Sequence, residues 1–342
     1  MTTPLVSVII PALNQEQYIA DALTSLRFQG IDLDALEVIV INDGSTDGTT
    51  RVVEEFHHVF PRLTTLHNVT PQGVSAARNR GTRHATGTML AYLDPDDWFG
   101  PHYLRHCADA MRRLSVEFVR TDHTRQFSGH REVWYAPESR RDRVLNPLDS
   151  VTPVHYSTML DYPYPCTGLF HASLKERGLL TYREDLHTAE DREMIWRVHL
   201  HAENYAVLST PDFFYRRDLT GSLTSAFTPK QLDFTESFAV IASEVERAHA
   251  SGRLTDTQHH ELSLKRARQF LSIALFHRER LSDQEGENHG DLLNILATRV
   301  QHELDTDTWM VTAVDTLDEE RQANITTLLQ SSSDQTIEPV IV

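Results

Sequence analysis

Four short strand-like runs, at residues 6–10, 37–41, 63–67 and 89–93, are spaced so that one helix fits between each pair. Val6-Ser7-Val8-Ile9-Ile10 and Met89-Leu90-Ala91-Tyr92-Leu93 are apolar almost throughout, the pattern of strands covered on both faces rather than one. Between the first two runs, Ile19, Ala22, Leu23 and Leu26 recur at helical spacing within residues 18–28, and residues 74–84 read as a second helix. Residues 42–48, Asn-Asp-Gly-Ser-Thr-Asp-Gly, supply turn chemistry and a cap for the helix after them. Strand and helix in alternation predict a mostly parallel α/β sheet flanked by helices. Pro11 is expected to end the first strand.

Past residue 98 the alternation loosens. A helix over 103–114 precedes an arginine-rich stretch, 120–143, and a Pro- and Tyr-rich segment around 162–165. From about residue 229 the pattern changes to helical periodicity over 234–248, 258–278 and 292–304. The reading is therefore an α/β domain over 1–228, a helical C-terminal domain over 229–330 and a polar tail over 331–342.

Composition excludes some partners. With 49 acidic against 32 basic residues the formal net charge is −17, so a phosphate backbone is repelled overall and no nucleic-acid partner is expected. Two cysteines, Cys107 and Cys166, call for no disulfide framework and point to a reducing, cytoplasmic setting. No run approaches the roughly 20 apolar residues that span a bilayer, so any membrane contact is expected to be peripheral, at the inner face.

Asp94-Pro95-Asp96-Asp97 directly follows a buried strand, where open α/β sheets bind their ligands. Two hard carboxylates there suit Mg²⁺ or Mn²⁺ bridging phosphates, although the same residues also serve as turn and cap chemistry. Asp43, after the second strand, offers a carboxylate to a nucleobase N–H while Gly44 lets the backbone approach, and a cap is again the alternative.

Taken together, Val-Ile-Ile-Pro-Ala-Leu-Asn at 8–14, Val-Ile-Asn-Asp-Gly-Ser-Thr-Asp at 40–47, Gly-Val-Ser-Ala-Ala-Arg-Asn-Arg-Gly at 73–81 and Leu-Asp-Pro-Asp-Asp at 93–97 resemble family 2 glycosyltransferases. The resemblance covers about the first 225 residues and rests on four motifs in order. It implies a GT-A, Rossmann-like fold that moves a sugar from a nucleotide diphosphate donor, a UDP-sugar, to a hydroxyl, with Mn²⁺ or Mg²⁺ as cofactor. By the same resemblance Pro11 and Asp43 line the nucleoside pocket, and Asn68 and Arg78 hold the base and phosphates. Asp94 touches ribose or metal, and Asp96 ligates the metal. Leu13 stands where many relatives carry an aromatic residue that stacks on the base.

An acceptor hydroxyl needs a positioned base. Glu190-Asp191, before a helical stretch, resembles the Glu-Asp motif of inverting members and makes Asp191 that base. A carboxylate at a helix N-terminus also suits the dipole, which is the competing explanation. Arg216 and Ser222, with Arg217 a competitor, resemble the segment that closes over the diphosphate. Thr167 and Gly168 resemble the acceptor-side turn, beside Glu190, and His187 is a further acceptor-side candidate. The expected acceptor is a glycan or polyol-phosphate of the cell envelope or capsule.

Arginines 120, 125, 131, 140, 141 and 143 could favour an acidic acceptor, but a solvated surface is the preferred reading. The 19 histidines, among them His259-His260, show no spacing with cysteine or carboxylate that suits zinc and are read as surface or core residues. The helical C-terminal domain is assigned to interaction or scaffolding, with a homo-oligomer as one outcome. A dinucleotide oxidoreductase and a P-loop NTPase are set aside because neither glycine motif is present. A sugar nucleotidyltransferase would need a basic glycine-rich loop that Pro-Ala-Leu-Asn does not supply. The remaining alternative is a non-catalytic nucleotide-sugar or polysaccharide binding protein of the same fold.

Overall fold

The computed structural model describes residues 3–154, 156–217, 228–283 and 289–330. Among these, 3–151 with 156–217 form one compact unit, and 152–154 with 228–283 and 289–330 form a second. Ser222 and the expected tail over 331–342 lie outside the described residues.

The first unit opens with β1 (Val6–Ala12), α1 (Ile19–Leu26), β2 (Leu36–Asn42), α2 (Thr49–Glu54), β3 (Leu63–His67), α3 (Val74–His84) and β4 (Met89–Tyr92). It continues through β5 (Trp98–Phe99), α4 (Tyr103–Leu114), β6 (Phe118–Thr121), β7 (His123–Gln126), β8 (Arg131–Trp134), β9 (Gly168–His171) and α5 (Ala172–Glu176). It closes with α6 (Glu190–His201), β10 (Tyr205–Leu208) and β11 (Phe213–Arg216). Seven strands form one sheet in the order β10-β6-β9-β4-β1-β2-β3. Every pairing in it is parallel except those of β9, which runs antiparallel to both β4 and β6. A second sheet, β5-β11-β7-β8, has no counterpart among the strands expected from the sequence.

Pro11 does not end β1, which pairs with β2 as far as Ala12. Ile9 O accepts from Leu93 N on the β4 side and Ala12 O accepts from Asp43 N on the β2 side, so the nitrogen of Pro11 faces the β4 side. The β1–β4 pairing stops at Ile9, and no ladder donor is lost there.

The arginines of 120–143 are mostly not a solvated surface. Arg120 is fully buried in β6 and donates through Nη2 to Tyr162 O. Arg125 lies 3.7 Å over the Trp134 ring, Arg131 5.0 Å over Phe214, and Arg140 and Arg141 pair with Glu138 and Asp122. Arg143 is exposed. Both cysteines are buried and unbridged.

The second unit is helical, with α7 (Phe234–Ala250), α8 (Asp256–Asp283), α9 (His289–Thr306), α10 (Thr308–Asp315) and α11 (Glu319–Gln330). Its core is built on Phe234, Phe238, Ile241, Phe270, Leu271, Leu296 and Val300, all essentially buried. No helix among the described residues is long and apolar enough to cross a membrane.

Candidate active site

In the main sheet β1 lies between β2 and β4, the point where strand order reverses and where the connecting loops diverge at the carboxyl ends. The sequence candidates gather along this edge. Pro11 is buried near the end of β1, Asp43 follows β2, Asn68 follows β3, and Asp94 lies just past β4.

Asp43 is buried, and its carboxylate accepts from Gln72 N at 2.9 Å, Gly73 N at 2.8 Å and Asn68 Nδ2 at 2.6 Å. These bonds bind the loop at 68–73 to the end of β2. A carboxylate has about four lone-pair sites, so capacity remains for one more donor such as a base N–H. Gly44 has φ +81°, and a Cβ there would sit 2.9 Å from the Pro71 ring, so the second motif needs glycine at that position. The capping falls to other residues: Asp47 Oδ1 accepts from Thr49 N at 2.9 Å, and Asn42 Oδ1 from Ser45 N at 2.9 Å.

The first two motifs are laced together in ways the sequence did not announce. Asn14 Oδ1 accepts from Thr46 N at 2.8 Å while Asn14 N donates to Ser45 Oγ at 3.0 Å. Glu16 Oε2 accepts from Gly48 N at 2.9 Å. Leu13, just before Asn14, is 39% exposed, so its side chain is presented to solvent at the mouth of this loop pair.

Arg78, on α3, sits at the centre of the acidic cluster. Its buried guanidinium donates through Nη2 to Asp94 Oδ1 at 2.9 Å and through Nη1 to Asp191 Oδ1 at 2.6 Å, with Glu190 Oε1 3.6 Å away. The Tyr182 ring lies 5.2 Å from the guanidinium, and Nε has no hydrogen-bond partner among the described residues. One cation thus serves three carboxylates. Burial opposes the charge on Arg78, but Asp191 and Asp94 outweigh it and hold the guanidinium protonated. Asp191 is pushed above the usual carboxylate range by burial, with Glu190 and Asp94 adding to the push against the pull of Arg78. Glu190 moves up for the same reason, burial first.

The remaining motif residues on α3 each have a separate task. Asn79 clamps the backbone of Tyr182, accepting from its N at 2.7 Å and donating to its O at 2.8 Å. Arg80 donates to His67 O and to Asn68 Oδ1, tying the end of β3 to α3. Gly81 lets the helix lie against the sheet, since a Cβ there would be 2.4 Å from Ile9 Cγ2. Sequence reasoning singled out only Arg78; the contiguity of the motif was the available signal for the others.

Asp94, Asp96 and Asp97 crowd the loop after β4. Burial and the neighbouring Asp94 raise Asp96 to about 6, and burial with Asp96 and Asp94 raises Asp97 well above the ordinary range. Asp97 Oδ1 accepts from Arg216 N at 2.8 Å, whereas the Asp96 carboxylate has no hydrogen bond to another described residue. Unneutralised oxygen donors of this kind fit a hard divalent cation such as Mg²⁺ or Mn²⁺. Arg216, the last residue of β11, donates to Asp96 O at 2.9 Å and to Asp21 Oδ2 at 2.7 Å and lies between the rings of Trp98 and Tyr18. Arg217 is exposed and turned to its neighbour Tyr215.

Asp191 and Glu190 occupy the first turn of α6, entered through Ala189 at φ +59°. His187 is exposed. Thr167 is buried with its hydroxyl donated to Tyr164 O at 2.8 Å. Gly168 is a strand residue paired with Arg120 in β6; its φ is +142°, and a Cβ would fall 1.9 Å from Val119 O. Strand packing therefore accounts for this glycine.

Residues 7–176 match the family model described as Glycosyl transferase family 2. The chain is 28% identical to the putative glycosyltransferase EpsH of Bacillus subtilis over 64% of its own length and 63% of that protein's. It is 24% identical to the poly(ribitol-phosphate) beta-N-acetylglucosaminyltransferase TarS of Staphylococcus aureus, over 77% of this chain and 45% of that one. The chain thus spans less than two thirds of the length of these curated relatives. The solved structure of S. aureus TarS 1–349 in complex with UDP-GlcNAc superposes with a TM-score of 0.74 at 21% identity, covering 96% of this chain and 90% of that one. A mannosyltransferase from Pyrobaculum calidifontis, in complex with GDP-Man and Mn²⁺, gives a TM-score of 0.51 at 17% identity over 97% of this chain and 86% of that one. At these identities the structural likeness speaks for the fold, which is GT-A. With the four motifs gathered at the switch point of that fold, the chain belongs to glycosyl transferase family 2.

Proposed function

We propose that the chain transfers a sugar from a UDP-sugar to a hydroxyl of a glycan or polyol-phosphate acceptor of the cell envelope or capsule, with inversion at the anomeric carbon. The observation that carries this reading is the Arg78 guanidinium, which holds Asp94 on the donor side and Asp191 at the head of α6 within one hydrogen-bonded cluster. Similarity to TarS, solved with UDP-GlcNAc and with UDP, favours a uridine donor and makes UDP-GlcNAc the first sugar to try.

In this mechanism Asp43 receives a base N–H beside Pro11 and Asn68, while Arg216 faces the diphosphate, with Ser222 a further candidate from the family resemblance. A divalent cation, Mn²⁺ or Mg²⁺, held by Asp94 and Asp96 supplies Lewis-acid neutralisation of the leaving diphosphate when bound. Asp191 takes the proton from the acceptor hydroxyl as that oxygen bonds to the anomeric carbon and the bond to the diphosphate breaks. Its raised affinity for protons suits a base working nearer neutrality than an ordinary carboxylate. Arg78 fixes its orientation. By the family resemblance Glu190, Thr167 and Gly168 are assigned to the acceptor side, and the helical unit is assigned to interaction or self-association. The chain works in the cytoplasm, peripherally at the inner face of the membrane.

Calorimetric titration with UDP, with and without Mn²⁺, tests the donor site. Metal-dependent binding that is lost in Asp96→Ala is expected; binding of GDP instead of UDP would reassign the nucleotide. Tight UDP-sugar binding with no turnover on any hydroxyl acceptor would favour the non-catalytic alternative.

A further inference from the structure

The helical unit contains a second set of metal-ligand residues, far in sequence from Asp94 and Asp96. Glu246 and His249 are three apart on α7 and so share a face of the helix, and His259 stands on the first turn of α8. Ligand atoms of all three lie within 4.8 Å of one another. Glu246 Oε1 and His259 Nε2 are 2.7 Å apart, and the two imidazoles stack with centroids 4.2 Å apart at 11°. Asp256 brings a further carboxylate, with Oδ1 2.9 Å from His249 Nε2.

The scaffold under these side chains is firm. α7 ends in a tight reversal, with Gly252 N donating to His249 O at 2.9 Å and Arg253 N to Ala248 O at 2.9 Å. α8 begins with a reciprocal cap in which Thr255 N donates to Gln258 Oε1 at 3.0 Å and Gln258 N to Thr255 Oγ1 at 3.2 Å. The Trp309 ring meets His259 and His260 edge-on at 5.9 and 4.9 Å. A short hairpin with both ends closed by hydrogen bonds fixes the backbone that carries the ligands. The donors remain open to solvent, with the side chains of His259, His249 and Glu246 exposed by 16%, 33% and 58%.

We propose that Glu246, His249 and His259 form a binding site for a borderline transition cation, with Zn²⁺ the first choice, and that the ion joins α7 to α8. Two imidazole nitrogens and a carboxylate are a donor set preferred by Zn²⁺, Co²⁺ or Ni²⁺ over Mg²⁺ or Mn²⁺. Bonds of about 2.0–2.1 Å in a tetrahedron set ligand atoms roughly 3.3 Å apart, so through side-chain rotation the longest separation closes by at most about 1.5 Å and the 2.7 Å contact of Glu246 with His259 opens by about 0.6 Å. Asp256 or a water takes the fourth position. The sequence concealed the set because its members lie across a helix–turn–helix reversal.

The test is titration of the untagged full-length chain with ZnCl₂, followed by calorimetry and thermal unfolding, with Asp96→Ala as a control for the other acidic site. The expected result is one Zn²⁺ per chain, a rise in Tm of several degrees, and the same affinity in Asp96→Ala. His259→Ala and Glu246→Gln should each weaken binding by at least about tenfold. Co²⁺ should give the intense visible bands of a four-coordinate ion in the wild type and lose them in His259→Ala. Glu246 is exposed, so Glu246→Gln decides the matter if His259→Ala does not fold. Absence of Zn²⁺ binding, or binding abolished by Asp96→Ala and unchanged in Glu246→Gln, overturns the proposal.

Discussion

Replacing Arg78 with methionine keeps an unbranched apolar stem against Tyr182 and removes the one positive charge from among three carboxylates. A unit-charge pair about 4 Å apart attracts by about 4 kcal/mol at an effective dielectric of about 20. Arg78 makes two such contacts, at 2.6 and 2.9 Å between heavy atoms, and relief of its own burial offsets part of their loss. Breaking a buried pair by deleting one partner costs about 3–5 kcal/mol. The Asp94 and Asp191 side chains are 33% and 30% exposed, which takes the figure to the lower end, about 3 kcal/mol at pH 8. For a unit of this size that corresponds to a Tm lower by about 6–12 °C. Without the guanidinium the Asp191 and Glu190 carboxyls rise further above their unfolded values near 4, so the folded variant holds more protons than its unfolded chain over that interval. Its stability therefore falls as pH rises, and the gap to wild type should be smaller by about 1–2 kcal/mol at pH 5 than at pH 8. Urea unfolding at both pH values, without nucleotide, measures this. A gap near zero, or one that does not change with pH, would refute the idea that Arg78 holds the cluster together.

Three further outcomes are expected. Asp191→Asn should keep UDP binding while lowering turnover by roughly 10²–10⁴, read as UDP release in the presence of acceptor; an unimpaired variant would place the base elsewhere. Gly168→Ala should destabilise by more than about 4 kcal/mol, since the new Cβ would meet Val119 O in a backbone region that L residues avoid; near-normal denaturant unfolding would contradict the strand register. Burial holds His199 down to about 3, so the folded chain stays unprotonated there while the unfolded chain takes up a proton below about 6.5. Stability is then full above that pH and falls as pH drops toward 3, by about 1.4 kcal/mol per pH unit for this group, and His199→Phe should flatten the slope by one proton. An unchanged slope would mean that the ring is solvated.

What could be read in the chain follows from where its stabilisation comes from. β1, β2 and β4 are buried along almost their whole length, so nearly every side chain is apolar and the run announces itself. β5 has two residues and β8 four exposed ones, Arg131–Trp134, so no periodicity could develop, and the second sheet is set by pairings made in the fold. Arg120 misled because an arginine in a fully buried strand runs against the usual preference of that side chain. In the site, residues flanking a strand end were legible because topology alone places them at the sheet's carboxyl edge. The partnership of Arg78 with Asp191 was not: it spans 113 positions, and nothing local in either segment names the other.

That partnership explains how a base on a separate helix can be held accurately. The turn into α6 passes through Ala189 in the left-handed region, which costs an alanine about 1–2 kcal/mol and gives the first turn no intrinsic reason to stay where it is. A helix start of this kind needs an outside contact to fix it. Arg78 supplies that contact from α3, a helix itself seated by Gly81 against Ile9 and Ile41 of the central strands. Asn79 adds a second tie from the same helix to the backbone at Tyr182, upstream of the same turn. Asp94, proposed for the donor side, and the proposed base Asp191 therefore share one buried side chain on α3.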